Sequence, residues 1–530
     1  MILRIPEIKG VLVTAVLLAA FVCGCARMTP PREADALYLH LGAEPGTLNP
    51  ITATDAYAAT INEHIYENLV ERDYDTLEIV PRLAERWTIS PDRLRYRFYL
   101  KKGVRWSDGV EFTADDILYS FRALKDPKTA SAQLKVYYID VKDVRRISRY
   151  VVEFTYSRPY FLALEFCGGI PIVPEHIFND GTDFNTHKNS RFPVGTGPYL
   201  FSRWDTGKKI VLVRNDKYWG KKPEIRKIVY KLVPEINVAL QMLKKGELDV
   251  MSLRSIQWVR QTGTEKFNSN FYRLKYYLPR YNYIGWNARS ELFRDKRVRR
   301  AMTHFIDREA ILNKLLFGLG RIVTGNFYIE SRSYNRDLEP WPFDPEKGKA
   351  LLKQAGWSDT DGDGILDRNG KKFSFTFTIS SGSKFGERLT SILKEDLSRA
   401  GIEMNINRYE WAVFVNRLNS RDFEAVTLSW SLGYGGDPYQ LWHSSQTERG
   451  SNFCNFSNRE ADAIIEAARM EFNEDRRTRM YHRFHEIIHE EQPYTFLYST
   501  PALVAVSRRF DNVKVHKRGL NYLEWKVKGK

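Results

Sequence analysis

Residues 373–409 restrict the fold more tightly than any other stretch. Residues 373–379 read FSFTFTI, a strict apolar/polar alternation that suits a strand with one buried face. Leu389, Ile392, Leu393 and Leu397 then recur at helical spacing, Gly401 stops the helix, and 402–409 returns to strand character. Strand, helix and strand joined by short connections predict α/β lobes built on sheets with crossover helices. The order recurs at 227–253: a strand at 227–233, a helix at 238–245 stopped by Gly246, and a strand at 248–253. Earlier, Ala58, Ile61, Ile65 and Leu69 follow the possible cap Asp55 at helical spacing. Residues 94–100 (LRYRFYL) alternate as a strand, and Thr113-Ala114-Asp115-Asp116 opens a helix whose early carboxylates suit its positive end.

A chain of 530 residues has room for three or four such units at about 150 residues each. It buries enough surface to fold without a disulfide framework, which four cysteines could not supply in any case. An apolar content of 43% excludes wholesale disorder, and a mean hydropathy of −0.44 excludes a polytopic membrane protein. The net charge is +16, but runs such as 142–149 and 294–300 interleave Lys and Arg with Asp, Val and Ile. That pattern reads as a solvated surface. No nucleic-acid reader motif accompanies it, so no nucleic-acid partner is expected.

Residues 1–24 read as a targeting segment. Arg4 and Lys9 form a positive start, and 11–22 is an apolar run of 12 residues, short of the roughly 20 needed to span a bilayer. The run ends in Val22-Cys23-Gly24-Cys25, similar to a bacterial lipobox cut before Cys25, whose thiol would carry diacylglycerol. A plain secretory signal and an uncleaved amphipathic helix are the alternatives. With Cys25 acylated, 25–33 is a short tether, and the body is lipid-anchored to a membrane, facing the periplasm or cell exterior. Cys167 and Cys454 are then expected as two buried thiols.

Enzyme signatures are sparse. His485-Glu486-Ile487-Ile488-His489 fits H-E-x-x-H, which on a helix could hold zinc through His485 and His489 with Glu486 as base. A third ligand is missing: Gln492 and Thr495 stand where the extended pattern needs Gly and His, so a solvated helix face is expected instead. Asp359-Thr360-Asp361-Gly362-Asp363-Gly364 matches the first half of a calcium loop, with Asp367 in ninth place but Gly370 where a bidentate Glu belongs. A polar turn and a structural calcium site both remain open for Asp359–Asp367. Neither phosphate-binding glycine motifs nor a nucleophile elbow occurs, so no catalytic residue, no resident metal and no cofactor is expected.

Trp411, Trp430, Tyr434, Tyr439 and Trp442 crowd around the break Gly433-Tyr434-Gly435-Gly436-Asp437-Pro438. A strand ending in such a turn exposes backbone donors and acceptors, which aromatic walls shield from water. That suits an extended ligand bound through its main chain; a plain core edge is the alternative.

Ordered motifs then assemble into a family. They include Glu44-Pro45-Gly46-Thr47-Leu48-Asn49-Pro50, His64-Ile65-Tyr66-Glu67-Asn68-Leu69, Pro81-Arg82-Leu83-Ala84-Glu85-Arg86-Trp87 and Gly103-Val104-Arg105-Trp106-Ser107-Asp108-Gly109. Gly195-Thr196-Gly197-Pro198-Tyr199, Gly246-Glu247-Leu248-Asp249 and Phe293-Arg294-Asp295-Lys296-Arg297-Val298-Arg299 follow. The chain resembles family 5 of bacterial extracellular solute-binding proteins, which includes dipeptide- and oligopeptide-binding proteins of ABC importers. The resemblance implies a periplasmic-binding-protein-like α/β fold, two lobes with a hinge plus an extra domain. Lobe I would comprise 34–74, 194–288 and 496–530, the extra domain II 75–193, and lobe III 289–495. Its partners would be a peptide ligand, ABC permease subunits and a membrane through the anchor, with the protein a monomer.

In peptide-binding relatives a Trp followed shortly by an Asp marks the cleft, and that Asp holds the peptide's α-amino group. Trp430 matches the Trp; the Asp position falls near Gly433 or Tyr434, and Asp437 is the nearby acidic substitute. Trp411 matches a second cleft Trp, Tyr57 a cleft-lining position and Tyr137 an aromatic contact, with Tyr434 in the break itself. Relatives also take nickel chelates, haem or oligosaccharides, and a sensor or assembly lipoprotein of the same fold is a further alternative.

Overall fold

A computed structural model describes residues 32–448 and 450–529. The targeting segment 1–24, Cys25 and all of the tether except Arg32 and Glu33 lie outside the described residues. Among those described, no helix is long and apolar enough to cross a membrane.

Three sheets organise the body. The first has seven strands in the order Phe271–Tyr276, Ala502–Ser507, Val250–Ser252, Ala36–Leu41, Lys227–Leu232, Lys209–Arg214 and Tyr199–Asp205. Ala36–Leu41 lies parallel to Lys227–Leu232, from Ala36 opposite Lys227 to Leu41 opposite Leu232, so chain segments nearly 200 positions apart build one lobe. The helix Ala56–Ile65 enters from Asp55, whose side chain accepts the Ala58 N–H at 2.8 Å.

The second sheet is antiparallel: Ala84–Ile89, Arg95–Leu100, Val151–Tyr156 and Val141–Ser148. Alternation does what the sequence predicts, since Tyr96, Phe98 and Leu100 are buried between polar neighbours. Phe98 packs edge-on against Phe154, and each ring contributes about 1.5–3 kcal/mol of burial. Helix Ala114–Lys125 is set by a capping box in which Asp116 Oδ2 accepts the Thr113 N–H at 2.9 Å. This domain II shares one continuous apolar core with the first lobe, running from Leu37 and Ile65 through Phe98, Phe154 and Tyr199.

The third sheet has six strands: Arg321–Ile322, Tyr494–Ser499, Arg280–Trp286, Ala425–Ser431, Ser374–Ser380 and Glu403–Tyr409. Helix Lys384–Ser398 carries Ser374–Ser380 over to a parallel Glu403–Tyr409, as the alternation at 373–379 predicts. Two apolar clusters of its own fill this lobe. Arg280–Trp286 and Tyr494–Ser499 belong to this sheet, so the chain passes between the lobes at 277–279 and 500–501, not at 288/289 and 495/496. Each crossing contains a proline, Pro279 or Pro501, and the two are tied by Arg280 Nε donating to the Thr500 carbonyl at 3.0 Å.

Cys167 and Cys454 are both free and buried, in domain II and the third-sheet lobe respectively, and burial pushes both thiols up. The expected solvated face around His485 is a correction: His485 is buried, and so is His489. The 323–335 segment lies over them. Thr324 Oγ1 meets His485 Nε2 at 3.0 Å and the Asn335 N–H donates to Nδ1 at 3.1 Å, so both ring nitrogens are engaged. Burial lowers the two imidazoles to about 3 and about 4, keeping them neutral.

Candidate functional site

The strand Ala425–Ser431 ends at the lobe boundary. The next residue, Leu432, donates its N–H to the Pro279 carbonyl at 2.8 Å, which fastens the glycine-rich segment to the crossing point. Gly436 turns the chain with φ +71°, a left-handed conformation that favours glycine. A Cβ on Gly435 would lie 2.7 Å from Leu162 Cδ2 and 3.1 Å from Glu165 Oε2, so glycine lets the segment approach domain II without displacing the ends of those side chains.

A cavity of about 260 Å³ opens there, between residues 432–438, Tyr137 and Phe166 of domain II, and Phe327 and Tyr328 of the third-sheet lobe. Tyr137 stacks on Phe166 at 4.5 Å and donates its hydroxyl to Gln440 Oε1 across the boundary at 2.7 Å. Burial pushes that hydroxyl up to about 12, so Tyr137 remains a donor. Asp437 lines the same cavity but is already engaged. Its Oδ2 accepts from the Tyr160 hydroxyl at 2.7 Å and from Arg469 Nε at 3.1 Å. Arg469 also lies over the rings of Tyr160 and Tyr439, and its carbonyl accepts the Phe161 N–H at 2.8 Å. Domain II and the third-sheet lobe are thus latched around one buried carboxylate.

A second cavity of about 370 Å³ adjoins the first and shares Glu165, Gly433 and Tyr434 with it. Tyr434 forms the wall between them, with its hydroxyl donating to the Lys517 carbonyl at 3.0 Å. The far side comes from the first lobe: the end of helix Ala56–Ile65, the following 66–72 and the C-terminal 518–523. Glu67 there is fully satisfied by Arg82 Nε at 2.7 Å, the Tyr218 hydroxyl at 2.6 Å and Trp219 Nε1 at 2.9 Å. Arg72 pairs with Glu165 through two nitrogens, Nε to Oε1 at 3.0 Å and Nη2 to Oε2. Glu63 also lines this cavity, with its side chain exposed to solvent and Arg518 nearby. A further depression of about 860 Å³, between helix Ala114–Lys125 and the 178–185 loop, shares no residue with either cavity.

The structure therefore brings Tyr137, Tyr434 and Asp437 together. Trp430 turns inward, stacked against Tyr283 and Phe453, with Nε1 donating to the Tyr494 hydroxyl at 3.4 Å. Trp411 is 57% exposed in the first turn of helix Trp411–Ser420. Tyr57 is 38% exposed, with its hydroxyl against Gly42. Trp411, Trp430 and Tyr57 line neither cavity. Glu63, Arg72, Glu165 and Arg518, which the motifs did not single out, do line the second.

Among the described residues one group could gather a cation, the exposed Asp359, Asp361 and Asp363. Asp359 accepts the Gly362 and Gly364 N–H groups, Asp367 is held by Thr360 at 2.8 and 2.6 Å, and Lys372 pairs with Asp363. The segment is closed as a hydrogen-bonded turn by its own groups.

Known proteins share this architecture. Residues 78–452 match the profile of bacterial extracellular solute-binding proteins, family 5 Middle. The oligopeptide-binding protein AppA of Bacillus subtilis is 33% identical over 512 residues, covering 93% of this chain and 92% of that protein. The structure of that protein in complex with a nonapeptide matches with TM-score 0.81 and 32% identity, over 93% of this chain and 98% of the other. NikZ of Campylobacter jejuni, in complex with Ni(L-His), shares the fold at TM-score 0.81 and 24% identity, over 93% and 100% of the two chains.

Proposed function

The chain belongs to the bacterial extracellular solute-binding proteins of family 5, and on that premise we propose that it is the substrate-binding subunit of an ABC importer, capturing peptides between its lobes. One observation carries the peptide reading: residues 432–438, whose Gly433, Gly435 and Gly436 have only main chain to offer, line an interlobe cavity with aromatic walls. Backbone N–H and C=O groups in such a wall pair with an extended peptide's own main chain, whatever its side chains. The nonapeptide held by the Bacillus subtilis relative is of this chemical class.

Capture follows from the architecture. The first lobe and domain II share a core and move as one body. They close on the third-sheet lobe by rotation at 277–279 and 500–501. Tyr160 meeting Asp437 and Tyr137 meeting Gln440 hold the closed form, which docks on membrane permease subunits. Acylated Cys25 tethers the body to the membrane on its periplasmic or outer side, and the protein works as a monomer. It binds rather than catalyses: the one enzyme-like pair is spent on packing, with both His485 nitrogens hydrogen-bonded within the lobe.

A second reading keeps the import role and changes the solute. Residues 433–436 carry no carboxylate and Asp437 is taken by Arg469 and Tyr160, which favours a ligand without a free α-amine at that point. The test is mass spectrometry of whatever the purified full chain releases on denaturation. A ladder of short peptides supports peptide capture. One non-peptide mass moves the substrate class, and an empty cleft turns attention to a sensor or assembly role.

A further inference from the structure

We propose that the face of the first lobe around Tyr272, beside the point where the tether enters, is a docking surface for an anionic lipid bilayer. This goes beyond the solute reading and rests on the anchor proposed above. Acylated Cys25 holds the face near the headgroups, and the lysines on it answer their charge.

Position is the first argument. Ala36–Leu41 begins the first sheet beside Lys227, and the Arg226 N–H donates to the Asp35 carbonyl at 3.0 Å. From the C-terminal side, Arg509 Nη1 donates to the Ala34 carbonyl at 2.8 Å, while the Arg509 carbonyl accepts the Lys528 N–H at 2.9 Å. Residues 221–226 and 526–528 therefore flank the tether's entry. The seven steps from Cys25 to Arg32 span at most about 25 Å. A bilayer that holds Cys25 stays within that reach of the face, a constancy that no soluble anion shares.

Charge is the second argument. A depression of about 560 Å³ lies on this face, lined by Lys221, Lys222, Lys514 and Lys526 against Glu224 and Glu524. Tyr272 also lines it, with Arg508 and Lys528 over its ring at 4.3 and 6.0 Å. Asp75 pairs with Lys514 at 2.8 Å and Asp511 with Lys528 at 3.7 Å, so six cations meet four carboxylates. Among the described residues Lys221, Lys222 and Lys526 make no ion pair, and all three are exposed. Lipid phosphates supply the missing counter-charge, and each lysine brought to such a surface strengthens the contact about fivefold. The half-buried Tyr272 ring, apolar along its body and hydroxylated at its tip, suits the headgroup layer.

Lysine acetylation of the full chain, extracted from membranes and reconstituted in vesicles, tests this when read by peptide mass spectrometry. One set of vesicles is phosphatidylcholine; the other holds equal parts of phosphatidylcholine and phosphatidylglycerol. Lys221, Lys222, Lys514, Lys526 and Lys528 should label about fivefold or more slowly on the anionic vesicles. High salt should abolish the difference. Lys371 and Lys384, exposed in the third-sheet lobe, should label equally on both. In the variant carrying Lys221→Gln, Lys222→Gln and Lys526→Gln, protection of Lys514 and Lys528 should fall below about twofold, with the melting temperature of wild type. Equal labelling of the face on both vesicles overturns the proposal, as does protection that survives high salt or the triple substitution. If neither kind of vesicle retains the chain, the anchor reading fails and the docking surface fails with it.

Discussion

The two cavities that meet at Tyr434 treat their carboxylates differently. In the first, Asp437 is surrounded by partners: the Tyr160 hydroxyl, Arg469 Nε and, through Arg469, Asp140 at 3.8 Å. In the second, Glu63 and Arg518 stand near each other without an ion pair, although Glu67 and Glu165 close by are both matched. A satisfied pair fixes the walls; it leaves nothing for a ligand to complete. Glu63 is exposed, so water solvates its carboxylate and the side chain does little to hold the walls together.

The largest expected effect breaks the satisfied side. Asp437→Asn strips Arg469 of its close counter-charge while the arginine stays 8% exposed, and Asp140 is too distant to replace it fully. Loss of one partner of a buried pair costs about 3 kcal/mol, so calorimetry should find the melting temperature lower by several degrees. A shift under about 1 °C would erase the contrast between the cavities. Gly435→Ala comes next, acting on the shared boundary. Its Cβ would meet both Leu162 methyl carbons inside 3.0 Å and crowd Glu165, so the Leu162 side chain must shift at the boundary. Overpacking of this kind costs about 1–3 kcal/mol, which lowers ligand affinity in the closed form roughly 5- to 100-fold. Unchanged affinity in the titration would mean that closure does not bring these two surfaces together.

How much of this was legible in the sequence depends on whether a feature is local. Alternation at 373–379 and 94–100 identifies strands because each side chain reports its own face. It does not report which sheet a strand joins. Arg280–Trp286 reads as a nearly continuous buried strand, and nothing in RYNYIGW says that it pairs with Ala425–Ser431 rather than the first sheet. Lobe boundaries drawn at 288 and 495 therefore miss the crossings at 277–279 and 500–501. The same limit governs the site. Tyr137, Tyr434 and Asp437 were reachable through family motifs. Trp430 was reachable in the same way, but its stacking on Tyr283 was not, because that contact depends on which strand pairs with its own. Arg72 meets Glu165 across 93 positions and Arg518 meets the Arg72 carbonyl across 446, pairings that only topology creates. The His485 motif misled in reverse, because the covering segment 323–335 is invisible from the helix itself.

The smallest expected effect isolates the unsatisfied side. Folding raises the Glu63 carboxyl from 4.5 to about 7, so the folded state holds this proton more tightly than the unfolded chain does. The stability it contributes is complete below about pH 4.5 and is lost as pH rises through 7. Glu63→Gln cannot titrate, so the unliganded variant should match wild type at pH 5 and melt at most about 1 °C higher at pH 8, because solvent around the exposed side chain screens the effect. The other groups facing Glu63 do not imitate this. Burial pushes Tyr74 up to about 12 and Tyr230 and Tyr522 well above their ordinary range, so all three stay neutral. His64, held at about 4, favours the folded state above its unfolded value and loses that contribution as pH falls, but it does so equally in both proteins. Arg518→Gln should widen the gap, since its charge is what pulls Glu63 down. Superimposable melting curves for wild type and Glu63→Gln across pH 5–8 would mean that solvent alone sets the Glu63 carboxyl, and that folding does not raise it.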